Sequence, residues 1–351
     1  MVLKQESAAA EGMAGPILVW GAGAIGGTVG AALVRAGHAV VFVDIEAEHV
    51  AAIRDPARGL AIEGPLENYT IHAPAYTPEA LRGRYARVLL CVKAQHTEAA
   101  ARALLPHLAE DGCVVSLQNG LCEPIIASVV GEARTVGAFV NFSADWLAPG
   151  KVLYGGRGAV VLGELDGSES ARLESLHRLL RVFEPDAITT PNLAGYLWGK
   201  LGYGALLFAQ ALGEKGIADC LERPELLPLW RALGGEVMRV AAAEGVVPRG
   251  FNGFEPHAFA PGGTEAEARA SVAAMVAFNR PNAKTHSGIW RDLWVRRRTT
   301  EVDAQLAPVA EAGRRHGIPT PALDRLIGQI HECERGTRAM DDANLTEMLP
   351  A

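Results

Sequence analysis

The sequence feature that most constrains the fold is a glycine-rich turn between two short apolar runs. Residues 17–20 form the first run, which leads directly into Gly21-Ala22-Gly23-Ala24-Ile25-Gly26. A helix-like stretch follows at 28–35, and a second apolar run at 39–43 ends on Asp44. This order of strand, G-x-G-x-x-G turn, helix, strand and acid is typical of a dinucleotide-binding unit.

The three glycines of this turn have separate physical roles. Gly21 permits the tight turn off the strand, and Gly26 lets the helix pack closely on the strand. Gly23 has no side chain, so a pyrophosphate can approach the helix N-terminus, where N–H groups and the helix dipole favour an anion. We therefore predict that a cofactor contacts Gly21, Gly23, Ala24, Ile25 and Gly26. The alternative is a glycine-rich turn that binds no ligand.

Asp44 indicates which nicotinamide cofactor is bound. It follows Gly21 by 23 residues, near the position where an acid accepts hydrogen bonds from the adenosine ribose. A carboxylate there would repel the 2′-phosphate of NADP, and residues 45–49 contain no arginine or lysine to bind that phosphate. We therefore favour NAD over NADP. The alternative is that Asp44 only caps the helix that opens near Glu46.

Composition excludes several classes of protein. The 351 residues suffice for two domains with good cores, and a hydrophobic fraction of 49% with 21% charged residues predicts a globular, soluble chain. The net charge is −7, and Arg296-Arg297-Arg298 is too short a basic run to indicate nucleic-acid binding. No apolar stretch is long enough to cross a membrane. Residues 1–15 lack the apolar segment of a signal peptide and are predicted to be a disordered extension.

Cysteine and histidine spacing argues against a metal site. The five cysteines are odd in number and include no C-x-x-C pair, which speaks against both a disulfide framework and a zinc site. The histidines lack close ligand spacing with one another. We therefore expect no metal, and a reducing, cytoplasmic compartment.

The chain divides into an α/β half and an all-α half. Residues 16–190 predict an N-terminal Rossmann-type domain with a doubly wound parallel sheet, and residues 191–345 predict a helical substrate and catalytic domain. Predicted strands lie at 17–20, 39–43, 60–63, 69–73, 86–92, 113–117, 134–142, 159–162 and 187–190. Predicted helices lie at 28–35, 46–54, 98–108, 168–183, 192–214, 224–245, 265–281, 288–316 and 320–337. The long Gly/Pro/Phe-rich loop at 246–263 suggests a lid that contacts substrate through Phe254 and His257.

Polar residues follow several predicted strands directly. In an open parallel sheet, ligands bind beyond the carboxyl ends of the strands. Asp44, Lys93 and Asn119 occupy such positions. Asp44 should face the adenosine, whereas Lys93 and Asn119 should lie nearer the pyrophosphate, nicotinamide and substrate. The alternatives are an ordinary surface lysine and an asparagine that serves only its Asn-Gly turn.

The helical half contains a lysine in a very apolar predicted helix. This lysine is Lys200, and a buried ammonium must be paired or its pKa falls. Such a lysine suits general acid/base chemistry near neutral pH, with Glu301 as a candidate partner. The alternative is an interdomain salt bridge. His286 and Ser287 stand just before another helix, so the alternative to a binding role for Ser287 is an N-cap.

At these residues the sequence resembles the ketopantoate reductase (2-dehydropantoate 2-reductase) family. The resemblance spans about residues 16–335. Its motifs are Gly-Ala-Gly-Ala-Ile-Gly-Gly at 21–27, Cys-Val-Lys-Ala at 91–94, Leu-Gln-Asn-Gly at 117–120, Trp-Gly-Lys-Leu at 198–201, Thr-Glu-Val-Asp at 300–303 and His-Gly-Ile-Pro-Thr-Pro at 316–321.

The resemblance implies an enzyme with a Rossmann domain, a helical domain and an active site in the cleft between them. It implies hydride transfer between a nicotinamide and a 2-oxo acid. By the same resemblance, Lys200 would protonate the forming alkoxide, and Asn119 and Lys93 would line the nicotinamide and substrate region. Glu301 would contact the ligand or orient Lys200.

The chain departs from the family at positions that bind substrate. The family usually carries asparagines four and eight residues after the catalytic lysine, where this chain has Gly204 and Phe208. These positions share one helix face with Lys200, so the substitutions should enlarge the pocket and make it more apolar. Ser287-Gly288 replaces a usual Ser-Ser or Ser-Met pair, and Asp44 replaces an arginine often found for NADP. The predicted substrate-binding residues are Asn119, Gly204, Phe208, His286, Ser287 and Gly288.

We therefore predict an NAD(P)-dependent dehydrogenase that acts on a 2-oxo acid, a 2-hydroxy acid or a related secondary alcohol. Loss of hydrogen-bonding side chains favours a substrate that is bulkier or more apolar than ketopantoate. The expected partner is a small molecule, without nucleic acid or membrane, and a homodimer is one option. Two alternatives stay open: an authentic NADPH-dependent ketopantoate reductase of pantothenate synthesis, and a non-catalytic dinucleotide-sensing protein.

Overall fold

The structure, a computed structural model, describes residues 15–282 and 284–350. The extension predicted at 1–15 lies outside the described residues, apart from Gly15. The chain separates into two compact units, residues 1–193 and 194–351. The division falls close to the domain boundary predicted at residue 190.

The first unit is built on one mixed sheet. Its strands in the described residues are β1 (Ile17–Trp20), β2 (Val40–Val43), β3 (Leu60–Glu63), β4 (Tyr69–Ile71), β5 (Ala75–Tyr76), β6 (Tyr85–Leu90), β7 (Leu108–Ser116), β8 (Thr135–Ala148), β9 (Lys151–Glu164) and β10 (Ile188–Thr189). They are ordered β4-β3-β9-β8-β7-β6-β1-β2-β5, with β10 beside β9. Strands β5, β2, β1, β6, β7 and β8 are joined in parallel, which confirms the predicted fold class. The sheet also contains antiparallel pairs, β8 with β9 and β3 with β4.

Local sequence explains the central strands and the helices around them. All four residues of β1 and of β2 are buried, as expected for strands covered on both faces. The helices of this unit are α1 (Ala24–Arg35), α2 (Ala47–Arg54), α3 (Thr97–Leu104), α4 (Glu123–Val130) and α5 (Ala171–Leu180). The first helix begins four residues earlier than predicted, because the glycine turn runs directly into it with Gly23 as N-cap.

The second unit is helical, as predicted. Its helices in the described residues are α6 (Leu193–Gln210), α7 (Ile217–Leu221), α8 (Leu227–Ala243), α9 (Pro256–Phe259), α10 (Glu265–Asn279), α11 (Gly288–Trp290), α12 (Val302–Gln305), α13 (Ala307–Arg315), α14 (Pro321–Glu334) and α15 (Ala343–Glu347). The first of these, α6, includes the last residue of the first unit. The longest helices match the predicted spans to within a few residues.

The single helix predicted at 288–316 is wrong. A π-helical turn, Arg291–Val295, follows α11, and the chain then leaves helical geometry until α12. Asp292 is buried, and its carboxylate accepts hydrogen bonds from Arg296 and Arg298 at 3.1 and 3.0 Å. The chain folds back around this carboxylate, with Arg297 at φ +51°. Arg296 and Arg298, two residues of the basic run at 296–298, therefore pair with the buried Asp292 carboxylate of the same chain.

The long loop predicted at 246–263 is packed against α6 and contains α9. The Arg249 N–H donates to the Gly195 carbonyl at 2.8 Å. A Cβ at Gly199 would lie 2.1 Å from the Arg249 carbonyl oxygen, so only glycine permits this approach. Phe254 is fully buried and stacks on Phe259. Phe254 is thus a core residue of the second unit.

Candidate functional site

The carboxyl ends of four parallel strands meet along one edge of the sheet. Trp20, at the end of β1, is paired with Val43 of β2 and Leu90 of β6, and Leu90 is paired with Ser116 of β7. The segments that carry Asp44, Lys93 and Asn119 therefore leave the sheet at the same edge, as the topology of a parallel sheet requires. Each of the three residues is half-buried.

The glycine turn, defined as Gly21–Gly26, shows why two of its glycines are needed. Gly21 has φ +96°, and a Cβ there would lie 2.9 Å from the backbone of Cys91 and Val92. A Cβ at Gly26 would lie 2.0 Å from the Gly21 carbonyl oxygen and 2.9 Å from Val19. Both glycines are required by packing of the turn on β1 and on the end of β6.

Gly23 differs from the other two glycines. Nothing lies within 4 Å of a Cβ at this position, and its backbone is extended, with φ −68° and ψ −150°. The open side of Gly23 lies at the N-terminus of α1, where backbone N–H groups favour an anion. A pyrophosphate fits this combination of free space and donors, so the turn suits a dinucleotide.

Asp44 connects the turn to the second strand. Its Oδ2 accepts a hydrogen bond from the Ala22 N–H at 2.8 Å, and its Oδ1 accepts one from the Glu46 N–H at 3.0 Å. The second bond supports the start of α2, so the capping alternative describes part of its role. A carboxylate has about four lone-pair sites, and two hydrogen bonds leave capacity for ribose hydroxyls.

Sequence reasoning missed His49, which contacts the same turn. His49 is buried on α2, with Nε2 2.8 Å from the Ala22 carbonyl oxygen and Nδ1 2.9 Å from the Gly150 nitrogen. Its burial together with Val50 and Ile53 gives α2 an inward face that includes the histidine. The helical spacing of these buried residues could have indicated that His49 faces inward, but it could not identify Ala22 and Gly150 as its hydrogen-bond partners.

Lys93 and Asn119 lie on segments that a buried glutamine joins. Gln118 donates from Nε2 to the Val92 carbonyl at 3.0 Å and to the Thr97 hydroxyl at 2.8 Å. These bonds hold the residue before Asn119 against the residue before Lys93. The sequence motifs placed both residues at strand ends but did not indicate this connection.

In the second unit, α6 has a stripe of partly accessible positions. Tyr196, Lys200, Gly204 and Leu207 are half-buried, whereas Phe208 is fully buried. The spacing explains the difference, because i+7 lies about 20° from the starting direction on an α-helix and i+8 lies about 80° away. Lys200 and Gly204 share the accessible face as predicted. Phe208, which was predicted for the same face, does not lie on it, and Leu207 occupies the next accessible position instead. A substrate contact by Phe208 stays a prediction.

A glutamine that sequence reasoning did not select faces Gly204. Among the described residues outside its own helix, the one atom within 4 Å of a Cβ at Gly204 is Gln305 Oε1, at 3.9 Å. Gln305 is 9% exposed and ends α12. Glu301, which is 6% exposed, precedes Gln305 by four residues, just as Lys200 precedes Gly204. Gly204 thus leaves a space bordered by a carboxamide.

The segment around Ser287 is held by two indoles. The Ser287 side chain accepts a hydrogen bond from the Trp290 N–H at 3.1 Å, which confirms that Ser287 is an N-cap. Trp290 and Trp294 are stacked with centroids 5.4 Å apart, and they donate to the Gly213 and Ala211 carbonyls. His286 lies against Trp290, with ring centroids 4.0 Å apart.

Burial excludes two nearby groups from proton transfer at neutral pH. Desolvation raises the pKa of Tyr203 to about 12, although a hydrogen bond from Asn279 opposes this shift. Burial also raises the pKa of the Cys91 thiol, which lies beside Gly21. Both groups stay protonated.

None of the helices in the described part of the chain combines the length and hydrophobicity needed to span a bilayer. Among those same residues, no group of three or more His, Cys, Asp or Glu side chains could hold a metal ion.

Comparison with known proteins identifies the family. The model for ketopantoate reductase PanE/ApbA matches residues 17–167, and the model for its C-terminal region matches residues 192–334. The chain belongs to the ketopantoate reductase PanE/ApbA family. It is therefore an oxidoreductase of the dehydrogenase/reductase class acting on CH–OH groups, with a nicotinamide cofactor.

Individual relatives are similar over nearly their whole length. A 2-dehydropantoate 2-reductase from Archaeoglobus fulgidus is 28% identical over 91% of this chain and 98% of its own. A ketopantoate reductase structure from Ralstonia eutropha has a TM-score of 0.76 at 26% identity, covering 92% of this chain and 99% of its own. A D-mandelate dehydrogenase complex with NADH and anilino(oxo)acetate has a TM-score of 0.80 with the same coverage, but its 22% identity shows the fold alone.

Proposed function

We propose that this protein is an NAD-dependent dehydrogenase that transfers hydride between NAD(H) and a bulky, apolar 2-hydroxy or 2-oxo acid, or a related secondary alcohol. The observation that carries this proposal is the absence of a side chain at Gly204, on the accessible face of α6 that also carries Lys200. A larger pocket beside an acid/base group favours a substrate side chain larger than that of ketopantoate. The first unit would bind the dinucleotide at the glycine turn.

Proton transfer is assigned to Lys200. When bound, the nicotinamide accepts hydride from the alcohol carbon or donates it to the carbonyl carbon. During oxidation the neutral Lys200 amine takes the hydroxyl proton, and during reduction its ammonium returns a proton to the forming alkoxide. Glu301 would orient Lys200, and Asn119 and Lys93 would contact the nicotinamide or substrate. Gln305 would supply a carboxamide at the edge of the space over Gly204.

A panel of substrates tests the proposal. Wild-type protein is assayed by nicotinamide absorbance with NADH and NADPH against ketopantoate, phenylglyoxylate and branched 2-oxo acids. Mandelate, the substrate named for a protein of similar fold, enters the panel as one bulky 2-hydroxy acid and is assayed in the oxidative direction with NAD⁺ and NADP⁺. We expect kcat/KM for a bulky 2-oxo acid with NADH to exceed that for ketopantoate by about 10- to 200-fold, the range that pocket size alone can give.

The other outcomes identify the competing functions. Efficient reduction of ketopantoate with NADPH would establish a 2-dehydropantoate 2-reductase, the activity named for the curated relatives. Cofactor binding without turnover of any acid or alcohol would favour a dinucleotide-sensing protein. Gly204→Asn serves as the control variant. In the described residues outside its own helix, a Cβ at this position has one neighbour within 4 Å, Gln305 Oε1, so the larger side chain should reduce turnover of bulky acids without loss of folding.

Removing the Asp44 carboxylate should relax the preference for NAD. In Asp44→Ser, the ratio of kcat/KM for NADH to that for NADPH should fall about 10- to 100-fold, because like charges brought together cost several kcal/mol. Asp55→Ser is the matched control. The Asp55 carboxylate also accepts a backbone N–H, that of Ala57, and Asp55 directly follows α2, the helix that begins just after Asp44. Parallel steady-state kinetics with both cofactors measure the ratio. An unchanged ratio in Asp44→Ser would remove the argument for NAD.

A further inference from the structure

We propose that His49 is a positioning residue that directs the Gly23 N–H toward the pyrophosphate of the cofactor. This inference rests on the proposed binding of a dinucleotide at the glycine turn. It assigns a function to a buried histidine whose side chain contacts the backbone of the glycine turn.

The hydrogen bonds of His49 fix its tautomer. The Gly150 nitrogen lies 2.9 Å from Nδ1, and a backbone N–H can only donate, so Nδ1 is the acceptor and carries no proton. The proton of the neutral ring is therefore on Nε2. It is donated to the Ala22 carbonyl oxygen at 2.8 Å. His49 thus pulls one specific carbonyl of the glycine turn toward the protein interior.

The direction of this carbonyl determines the direction of the next N–H. The Ala22–Gly23 peptide is trans, as are the other peptide bonds of the described residues, so its C=O and N–H point to opposite sides. With the Ala22 carbonyl held by His49, the Gly23 N–H must point away from the histidine. Rotation of this peptide would turn the donor away from the anion.

The Gly23 N–H is also the donor that stays available. Within residues 15–282 and 284–350 it has no acceptor, and nothing lies within 4 Å of a Cβ at Gly23. The preceding N–H, that of Ala22, is already donated to Asp44. Asp44 and His49 thus hold the two ends of residue 22, and the next N–H, that of Gly23, has no acceptor in the described residues.

The β8–β9 hairpin in turn holds the histidine. Gly150 lies at the tip of this hairpin with φ +78°, and a Cβ there would lie 2.8 Å from the Ala52 side chain on α2. The absence of a side chain lets its N–H reach His49. Its carbonyl accepts the Ala61 N–H at 2.8 Å, which anchors the hairpin tip to β3. The orientation of the glycine turn therefore depends on a contact between residues 101 positions apart.

Two amide substitutions separate the two hydrogen bonds of the histidine. A glutamine amide reaches the position of Nε2 and can donate to the Ala22 carbonyl, whereas an asparagine amide reaches only the position of Nδ1 and can accept from Gly150. We measure the Kd of ADP-ribose, which contains the pyrophosphate but undergoes no hydride transfer, by calorimetry for wild type, His49→Ala, His49→Asn and His49→Gln. Thermal unfolding is recorded for each variant.

We expect His49→Ala and His49→Asn to raise the Kd about 10- to 100-fold, the effect of losing a well-directed hydrogen bond to a charged group. His49→Gln should stay within about threefold of wild type by the same reasoning. His177→Ala is the matched control, because His177 Nε2 also contacts a backbone carbonyl, that of Ala187. The Kd of ADP-ribose for this variant should equal that for wild type.

Equal Kd values for wild type and His49→Ala would overturn the proposal, as would equal losses in the asparagine and glutamine variants at matched unfolding temperatures. A wild-type protein that binds neither ADP-ribose nor NADH would instead refute the cofactor assignment of the glycine turn, and this inference with it.

Discussion

Replacing Lys200 with methionine should lower kcat/KM for the preferred substrate by about 10²- to 10⁴-fold, the contribution typical of a positioned general acid/base. Lys200 is half-buried on the accessible face of α6, next to buried apolar residues that a methionine side chain can join. The cofactor Kd and the unfolding temperature should change little. Steady-state kinetics, NADH titration and thermal unfolding measure the three quantities.

An arginine at the same position distinguishes proton transfer from charge. Arginine keeps the cation but does not lose its proton at accessible pH, so Lys200→Arg should not restore turnover if Lys200 transfers the proton. Lys215→Met, at an exposed position beyond the end of α6, controls for the loss of a lysine. Turnover of Lys200→Met within threefold of wild type would end the acid/base assignment.

Alanine at Gly23 and at Gly26 should affect different properties of the protein. Gly23→Ala should raise the Kd of NADH about 10- to 100-fold, because a methyl group would occupy the space needed by the pyrophosphate. Its stability should fall less than that of Gly26→Ala, because nothing lies within 4 Å of the added Cβ and the backbone, at φ −68° and ψ −150°, lies at the margin of the extended region. Gly26→Ala should lose about 1–3 kcal/mol of stability, the usual cost of overpacking, because its Cβ would lie 2.0 Å from the Gly21 carbonyl oxygen.

The two variants are measured together by NADH titration and by thermal unfolding. Each is the control for the other, because both add one methyl group to the same turn. Wild-type affinity in Gly23→Ala would show that the cofactor does not approach this glycine. Wild-type stability in Gly26→Ala would show that α1 can move away from β1 without cost.

The parts of the site that could be predicted from sequence are those whose residues lie within a few positions of one another in the chain. The glycine turn, the acid at the end of β2 and the residues after β6 and β7 follow from apolar runs and the residues that end them. Helical spacing likewise placed Lys200 and Gly204 on one face of α6. It did not separate Leu207 from Phe208, because both lie about two turns beyond Lys200 and only packing shows which is accessible.

The sequence by itself thus determined the fold class and the family, because both depend on local periodicity and on glycines at fixed positions. Only the tertiary structure decided which distant groups meet: His49 with Gly150, Gln305 with Gly204, and Trp290 with Gly213. It also decided the break in the helix predicted at 288–316, where Asp292 is buried among arginines. The physical reason is the same in each case. The favourable contact joins residues that are far apart in the chain, which local propensity treats independently, and it forms only when the chain folds.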